Sequence, residues 1–178
     1  MDKTRPNFGF NAMALMFKLR DLLSPREEIL KEVDIRPGSQ VLDYGCGPGG
    51  YVAGTAARVG KSGTVYALDI HPLALQHVQR IATKNHLPNV QTIHSDCRTG
   101  LPNGSIDVVL LYDTYHALSD PDAILAELYR VLKPDGTLSF SDHHLSEDEI
   151  LSGVTSRQSF RLSRKGSRTY TFVKRFSS

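Results

Sequence analysis

The chain lacks tryptophan, has two cysteines and contains no long apolar run. Two cysteines are too few for a disulfide scaffold, and a membrane-spanning helix needs about 18 or more consecutive apolar residues. The formal net charge of +2 is too small to indicate a general preference for nucleic acid. Residues 1–6 lack the apolar core of a signal peptide, so we expect a cytoplasmic protein.

Apolar and amphipathic segments alternate along most of the chain, which indicates an α/β protein. The 178 residues suffice for one domain with a substantial core. We therefore expect a single domain over residues 1–178, with a Rossmann-like, doubly wound, seven-stranded sheet that is mainly parallel and ends in an antiparallel hairpin. The predicted strands are 40–44, 64–69, 90–94, 106–112, 136–141, 159–163 and 169–174, and the predicted helices between them are 50–59, 72–85 and 121–132.

The segment before the first predicted strand contains two helix signals. Residues 11–23 place apolar side chains at helical spacing. Ser24, Pro25 and Glu27 then mark the start of a second helix, because they supply a cap, a proline at the first position and the acid of a capping box. We expect these helices, within residues 1–35, to cover the functional site.

The glycine-rich segment after the first predicted strand is the strongest indication of function. Asp43 lies near the end of the strand, and Gly45, Gly47 and Gly49 precede the next helix. A strand, a tight loop and a helix N-terminus in this order form the nucleotide-type ligand site of open α/β sheets. Glycines let the backbone approach a ligand closely, and the free N–H groups of the helix attract an anion.

Two cofactor classes are compatible with this loop. Gly45, Gly47 and Gly50 match the G-x-G-x-x-G pattern of NAD-type proteins, with Asp69 at the position of the ribose-binding acid. The second pattern, D-x-G-x-G-x-G, begins at Asp43 and resembles motif I of the class I S-adenosylmethionine-dependent methyltransferases. A carboxylate at the strand end repels a pyrophosphate but suits an ammonium and a sulfonium, so Asp43 favours the second pattern.

Later segments extend this resemblance over about residues 33–174. Asp69 and Ile70 are similar to motif II, whose acid accepts the ribose hydroxyls in this family. Asp96 and Cys97 are similar to motif III, which borders the adenine. The order and spacing of these fragments make the resemblance specific, although each fragment alone is short.

Two further segments indicate the kind of reaction. Ile106–Tyr112 resembles motif IV, and residues 128–136 resemble a helix-turn-strand signature of the type 11/25 methyltransferases that act on small molecules. The resemblance implies transfer of a methyl group from S-adenosylmethionine to a small-molecule acceptor by a monomer or homodimer. The residues implied to contact the cofactor are Asp43, Gly45, Cys46, Gly47, Gly49, Asp69, Ile70, Asp96, Cys97 and Tyr112.

Titratable side chains follow the fourth and fifth predicted strands, at the edge where open α/β sheets bind ligands. They are Asp113, His116, Asp142, His143 and His144. Methyl transfer needs alignment and exclusion of water, and an acceptor hydroxyl, amine or thiol also benefits from a base of near-neutral pKa, for which histidine is suited. We therefore predict His116 or His143 as the base and Asp113 as a further catalytic residue.

Three alternatives remain open at this point. Asp113 and Asp142 offer carboxylates as in the catechol O-methyltransferase-like enzymes, but the other features do not match that group, and we expect no metal. Seven basic residues and no acid between Arg157 and Arg175 offer a nucleic-acid site, although a charged edge that prevents pairing between molecules is favoured. The third alternative is a catalytically silent protein that binds the same cofactor.

Overall fold

Within residues 26–157 and 159–176, which the computed structural model describes, seven strands form one sheet. The strands are β1 (Gln40–Tyr44), β2 (Thr64–Asp69), β3 (Val90–His94), β4 (Ile106–Tyr112), β5 (Leu132–Ser141), β6 (Phe160–Lys165) and β7 (Tyr170–Lys174). The helices are α1 (Arg26–Lys31), α2 (Val52–Val59), α3 (Pro72–Lys84), α4 (Pro121–Val131) and α5 (Glu147–Thr155), with a 3-10 turn at Tyr115–Ala117. The predicted helix over residues 11–23 lies outside the described residues.

The strand order is β3-β2-β1-β4-β5-β7-β6. The pairs β3–β2, β2–β1, β1–β4 and β4–β5 are parallel, whereas β7 runs antiparallel to both β5 and β6. This arrangement confirms the predicted mainly parallel sheet with an antiparallel C-terminal hairpin. The carboxyl ends of β1 and β4 flank the topological switch point, where open α/β sheets bind their ligands.

The central strands β1 and β4 are apolar on both faces, as strands buried between two helical layers must be. Val41 and Leu110 share a core cluster with residues of α1 and α2. Leu42 and Val109 share the opposite cluster with residues of α4 and α5. Helices therefore cover both faces, and none of them, within the described ranges, has the length and apolar character to cross a bilayer.

Capping residues determine where two of the helices begin. Asp120 accepts a hydrogen bond from the amide of Ala123 at 2.9 Å, and Pro121 occupies the first turn of α4. Ser146 and Glu149 form a reciprocal capping box at the start of α5.

The start of β5 differs from the prediction. The strand begins at Leu132, directly after α4, rather than at Gly136. The register passes from Ile106↔Leu132 to Val108↔Thr137, so the predicted turn is a bulge inside β5. Asp107 holds this bulge, because its carboxylate accepts a bond from the Lys133 ammonium at 2.6 Å.

The turn of the hairpin is also displaced from its predicted position. The sequence predicts the turn at residues 164–167, but Arg164 and Lys165 still pair with β7. The chain therefore turns over residues 166–169. Glu32, which precedes β1, accepts bonds from the amide of Thr169 at 3.0 Å and from its hydroxyl at 2.8 Å. This long-range contact carries no local sequence signal.

Candidate functional site

The loop after β1, residues 45–50, is held against its neighbours by close backbone contacts. The amides of Gly45 and Cys46 both donate to the carbonyl oxygen of Leu68, at 2.8 and 2.9 Å. A Cβ atom on Gly45 would lie 2.4 Å from the hydroxyl oxygen of Thr114, so no larger residue fits there. A Cβ on Gly47 would meet nothing within 4 Å. The loop thus packs tightly at Gly45 and opens at Gly47.

Asp43 is a buried carboxylate with an unused hydrogen-bonding atom. The residue is 2% exposed, and its Oδ2 has no hydrogen-bond partner within the described part of the chain. Burial raises the pKa of Asp43 to about 7; the Arg26 charge lowers it and the Asp69 charge raises it. A buried acceptor without a partner is unfavourable unless a ligand supplies the donor.

Asp69, at the end of β2, fastens the glycine loop. Its Oδ2 accepts from the amide of Gly47 and its Oδ1 from the amide of His71, both at 2.8 Å. Burial raises the pKa of this carboxyl, and the two amide hydrogen bonds oppose that effect. Each carboxylate oxygen can accept more than one hydrogen bond, so the contact with a ribose remains compatible with this arrangement.

A cavity at the carboxyl ends of β1 and β4 collects several of the predicted residues. Asp43 and the loop residues meet Tyr112 and Asp113 of the neighbouring strand end there. The lining residues are Arg26, Asp43, Gly45, Cys46, Gly47, Pro48, Tyr51, Tyr112 and Asp113. The cavity therefore joins a predicted catalytic residue, Asp113, to the predicted cofactor residues.

Gly49 has a different environment from the other motif glycines. A Cβ there would lie 3.0 Å from side-chain atoms of Ile81 and Val78 on α3. The residue therefore permits close packing of the loop on that helix. Its predicted contact with a cofactor stays a prediction.

The remaining predicted cofactor residues lie towards β3. The Tyr44 hydroxyl donates to the carbonyl oxygen of Asp96 at 3.0 Å, and Cys97 packs half-buried against the core. The carbonyl oxygen of Ile70 lies 2.8 Å from Nε2 of His94. Ile70 follows β2, and Asp96 and Cys97 follow β3, which lie next to β1 in the sheet. This is the sheet edge where the family resemblance implies an adenine.

Tyr112 presents its ring rather than its hydroxyl to the cavity. The hydroxyl is 2.7 Å from the Ser139 hydroxyl on β5, and burial raises the pKa of Tyr112. The ring packs edge-on against Tyr51, with centroids 4.8 Å apart. An aromatic surface beside a cavity is suited to a cation such as a sulfonium.

Two carboxylate–imidazole pairs occupy the ends of β4 and β5. His116 Nδ1 lies 2.9 Å from Asp142 Oδ2, and His143 Nδ1 lies 2.7 Å from Asp113 Oδ1. The rings of His116 and His143 both contact the ring of His144, with centroids 4.1 and 3.9 Å away. The structure thus brings together all five residues predicted at the strand ends, and we call them the strand-end cluster.

The two carboxylates of the strand-end cluster are held in different ways. Asp142 is buried, and its carboxylate oxygens accept hydrogen bonds from the backbone amides of His116 and His144, each at 3.1 Å. Asp113 adopts a left-handed backbone conformation with φ of +50°, and its amide donates to the Ser141 carbonyl at 2.8 Å. Aspartate tolerates this conformation better than most residues do.

Sequence reasoning missed Arg26 and Thr114 and left Asp142 outside the catalytic set. The Arg26 guanidinium lies 4.8 Å from the ring centroid of Tyr51 and lines the cavity. Thr114 fills the space beside Gly45. Neither contact has a local signal, since each joins segments far apart in the chain. For Asp142, the sequence does contain a signal, because His143 and His144 follow it directly at the end of β5.

Comparison with known proteins gives consistent matches. A family described as a methyltransferase domain matches residues 35–172. Demethylmenaquinone methyltransferase of Geobacillus sp. (strain WCH70) is 30% identical over 128 residues, covering 71% of this chain and 55% of that protein. The corresponding protein of Listeria monocytogenes serotype 4a (strain HCC23) is 30% identical over 142 residues, covering 79% and 59%. The chain thus spans a little over half the length of these curated relatives.

Solved structures share the fold. A SAM-dependent methyltransferase from Aquifex aeolicus matches with a TM-score of 0.74 and 26% identity, over 87% of this chain and 95% of that one. The [4+2]-cyclase SpnF matches with a TM-score of 0.66 and 16% identity, over 78% and 57%, which shows the fold alone. The predicted resemblance to S-adenosylmethionine-dependent methyltransferases is confirmed.

Proposed function

Since the chain belongs to the methyltransferase-domain family, we propose that it transfers a methyl group from S-adenosylmethionine to a small-molecule acceptor. The observation that carries this proposal is the buried Oδ2 of Asp43, which has no hydrogen-bond partner among the described residues and lies beside the open side of the glycine loop. The cofactor has an ammonium group and no phosphate, and an ammonium is the donor that this carboxylate lacks.

The residues of the cavity fit the parts of this cofactor. Asp43 would accept from the ammonium, Gly45, Cys46, Gly47 and Gly49 would shape the loop around the methionine part, and Tyr112 would lie beside the sulfonium. Asp69 would accept the ribose hydroxyls. Ile70, Asp96 and Cys97 would border the adenine. When bound, the cofactor supplies an electrophilic methyl group on its sulfonium.

The strand-end cluster would hold the acceptor and take its proton. Asp142 accepts a hydrogen bond from Nδ1 of His116 and orients the ring. This leaves Nε2 as the atom that can accept a proton from the acceptor. Asp113 holds His143 in the same way, and Asp113 itself lines the cavity. We assign His116, His143 and Asp113 as the residues nearest the acceptor.

Several observations favour a small molecule over a nucleic acid. Basic side chains of the C-terminal hairpin are engaged within the chain, because Lys165 pairs with Glu147 and Arg164 donates to the carbonyl oxygen of Glu32. Lys174 also donates to the carbonyl oxygen of Leu132 at 2.5 Å. The named relatives act on demethylmenaquinone, so this quinone is the first acceptor to assay.

The segment before β1 would close the site. Arg26 of α1 lines the cavity, which supports the expectation that residues 1–35 cover it in a single domain over residues 1–178. A monomer or homodimer in the cytoplasm remains our expectation for the assembled protein.

Calorimetric titration of S-adenosylmethionine, S-adenosylhomocysteine and NAD tests the cofactor assignment. We expect both adenosyl ligands to bind the wild type, and Asp69→Ala and Asp43→Asn to weaken binding by more than about tenfold through loss of charge-assisted hydrogen bonds. Asp135→Asn, which replaces an exposed aspartate, is the matched control and should bind these ligands as the wild type does. Preferential binding of NAD would overturn the proposal.

Mass spectrometry of acceptor mixtures then tests the chemistry. A mass gain of one methyl group that depends on S-adenosylmethionine identifies the acceptor. Cofactor binding without any methylated product would instead support the catalytically silent alternative. SpnF, which shares the fold, is named as a cyclase, so the product assay is needed in addition to the binding assay.

A further inference from the structure

We propose that Asp113, Asp142 and His143 form a binding site for one divalent transition-metal ion at the carboxyl ends of β4 and β5. This site departs from the metal-free centre that the sequence predicts. It deepens the proposed function, because the ion would bind an anionic oxygen of the acceptor, with His143 as a ligand and His116 as the remaining base. The binding of the ion itself does not depend on that function.

The geometry of the three side chains matches one coordination shell. Each offers a ligand atom, and these atoms all lie within 4.8 Å of one another. Metal–ligand bonds of about 2.1 Å at right angles separate two ligand atoms by about 3 Å. The 2.7 Å between His143 Nδ1 and Asp113 Oδ1 is close to that separation, so small rotations of the two side chains would admit an ion.

The charge of the site also favours a cation. The Asp142 side chain has no exposed surface. Among the described residues it forms an ion pair with the imidazole of His116, not with a lysine or an arginine. Two carboxylates that lie this close together offer oxygen ligands to one divalent ion. The neighbouring ring of His116 would hold the second oxygen of Asp142, and the ring of His144 packs against that of His116.

The donor set selects the class of metal. Two carboxylates alone would suit Mg²⁺, which binds oxygen ligands, but the imidazole shifts the preference towards Mn²⁺, Fe²⁺ or Zn²⁺. Three protein ligands leave coordination positions open, as in catalytic metal sites. Asp113 also lines the cofactor cavity, so an acceptor oxygen bound to the ion would lie next to the cofactor.

Calorimetry with MnCl₂ and with ZnCl₂, without any cofactor, tests this site. We expect about one ion per chain in the wild type, and affinity lower by more than about tenfold in His143→Ala and in Asp113→Asn. Because the His143 side chain is largely exposed, His143→Ala should fold normally. His86→Asn removes an exposed histidine elsewhere and is the matched control, with asparagine suited to the left-handed backbone of that position.

The outcomes separate this inference from the proposed function. Ion binding that is lost in both variants and kept in His86→Asn supports the site. No ion binding, or equal binding in all variants, overturns it. Titration of S-adenosylmethionine into the same proteins reports the cofactor site independently, so one proposal can fail while the other stands.

Discussion

Asp43 and Gly45 illustrate how single residues reconcile folding with ligand binding. The Oδ2 of Asp43 is buried without a partner in the described part of the chain, which costs free energy, and under the proposed function a cationic ligand would recover that cost. Gly45 is required for folding whether or not a ligand is bound, because a Cβ atom there would collide with Thr114.

Asp43→Asn is expected to remove a pH dependence of stability in the cofactor-free protein. The folded-state pKa of about 7 exceeds the ordinary value of 3.8, so the folded state keeps a proton that the unfolded state releases. The free energy of unfolding of the wild type should therefore fall as the pH rises from about 4 to about 7, by up to about 4 kcal/mol. Urea unfolding at several pH values measures this.

The free energy of unfolding of the asparagine variant should lose most of this pH slope and should exceed that of the wild type above about pH 7. Its affinity for S-adenosylmethionine should fall at the same time. A variant that keeps the pH slope would show that another group causes it.

Gly45→Ala should mainly reduce the stability of the fold, whereas Gly47→Ala should mainly weaken cofactor binding. The added methyl group collides with Thr114 in the first variant and meets open space in the second, while φ is positive at both positions. We expect Gly45→Ala to lose about 3 kcal/mol or more of stability, and Gly47→Ala to lose about 1–2 kcal/mol from its left-handed backbone. Gly47→Ala should still weaken cofactor binding, which calorimetry on the folded variant measures.

A matching rescue tests the first half of this prediction. Thr114→Ala removes two of the three atoms that a Cβ on Gly45 would meet, so it should restore part of the stability lost in Gly45→Ala. Additive losses in the double variant would contradict the assigned collision.

At the scale of elements, Glu32 joins the entry to β1 with the turn of the C-terminal hairpin. Its carboxylate accepts bonds from the hydroxyl of Ser167 and from the amides of Arg168 and Thr169, the amide distances being 3.0 to 3.1 Å. Burial alone would raise the pKa of Glu32, but the hydrogen bonds from Ser167 and Thr169 outweigh it and hold the pKa below the usual value. The hairpin thus depends on a residue from the other end of the chain.

Glu32→Gln should loosen the C-terminal hairpin and make the stability of the hairpin less dependent on pH. A carboxyl with a lowered folded-state pKa contributes stability above its unfolded value of about 4.5, and this contribution is lost as the pH falls through the folded-state pKa. We expect faster amide exchange at Thr169 in the variant at neutral pH, by loss of charge-assisted bonds. Glu28→Gln, which breaks an exposed pair with Lys31, is the control and should leave exchange at Thr169 unchanged.

The elements also show where local sequence patterns stop being informative. The helix starts at Pro121 and Glu147 follow from caps that lie within a few residues. The start of β5 does not, because it depends on the pairing of Leu132 with Ile106 of β4 and on the Asp107–Lys133 bond. Local propensity predicts a turn there, and tertiary pairing overrides it.

At the scale of the whole molecule, the parallel sheet places all functional strand ends on one edge. Most of the predicted cofactor residues lie at the ends of β1, β2 and β3, Tyr112 ends β4, and the loops after β4 and β5 supply the strand-end cluster. A ligand that bridges these strands should therefore stabilise the entire fold rather than one segment.

S-adenosylhomocysteine should raise the midpoint of thermal unfolding. At a ligand concentration about 100-fold above its Kd, the folded state gains about 2.7 kcal/mol, which corresponds to a shift of about 5–10 °C for a protein of this size. Asp69→Ala should shift by no more than about half as much at the same concentration, because its affinity is lower by more than about tenfold, and Asp135→Asn should match the wild type. Differential scanning calorimetry measures all three, and a full shift in Asp69→Ala would contradict the role of that carboxylate.

The sequence by itself determined the fold class and the motif residues, because both depend on local spacing. Alternating apolar and amphipathic segments predict a parallel α/β sheet, and the glycines that follow Asp43 predict the ligand loop. Only the tertiary structure decided that Asp142 fixes His116, that Arg26 lines the cavity and that Glu32 binds the hairpin turn. These contacts join residues that are 26 to 137 positions apart, or lie on separate elements, and chain folding rather than local propensity brings them together.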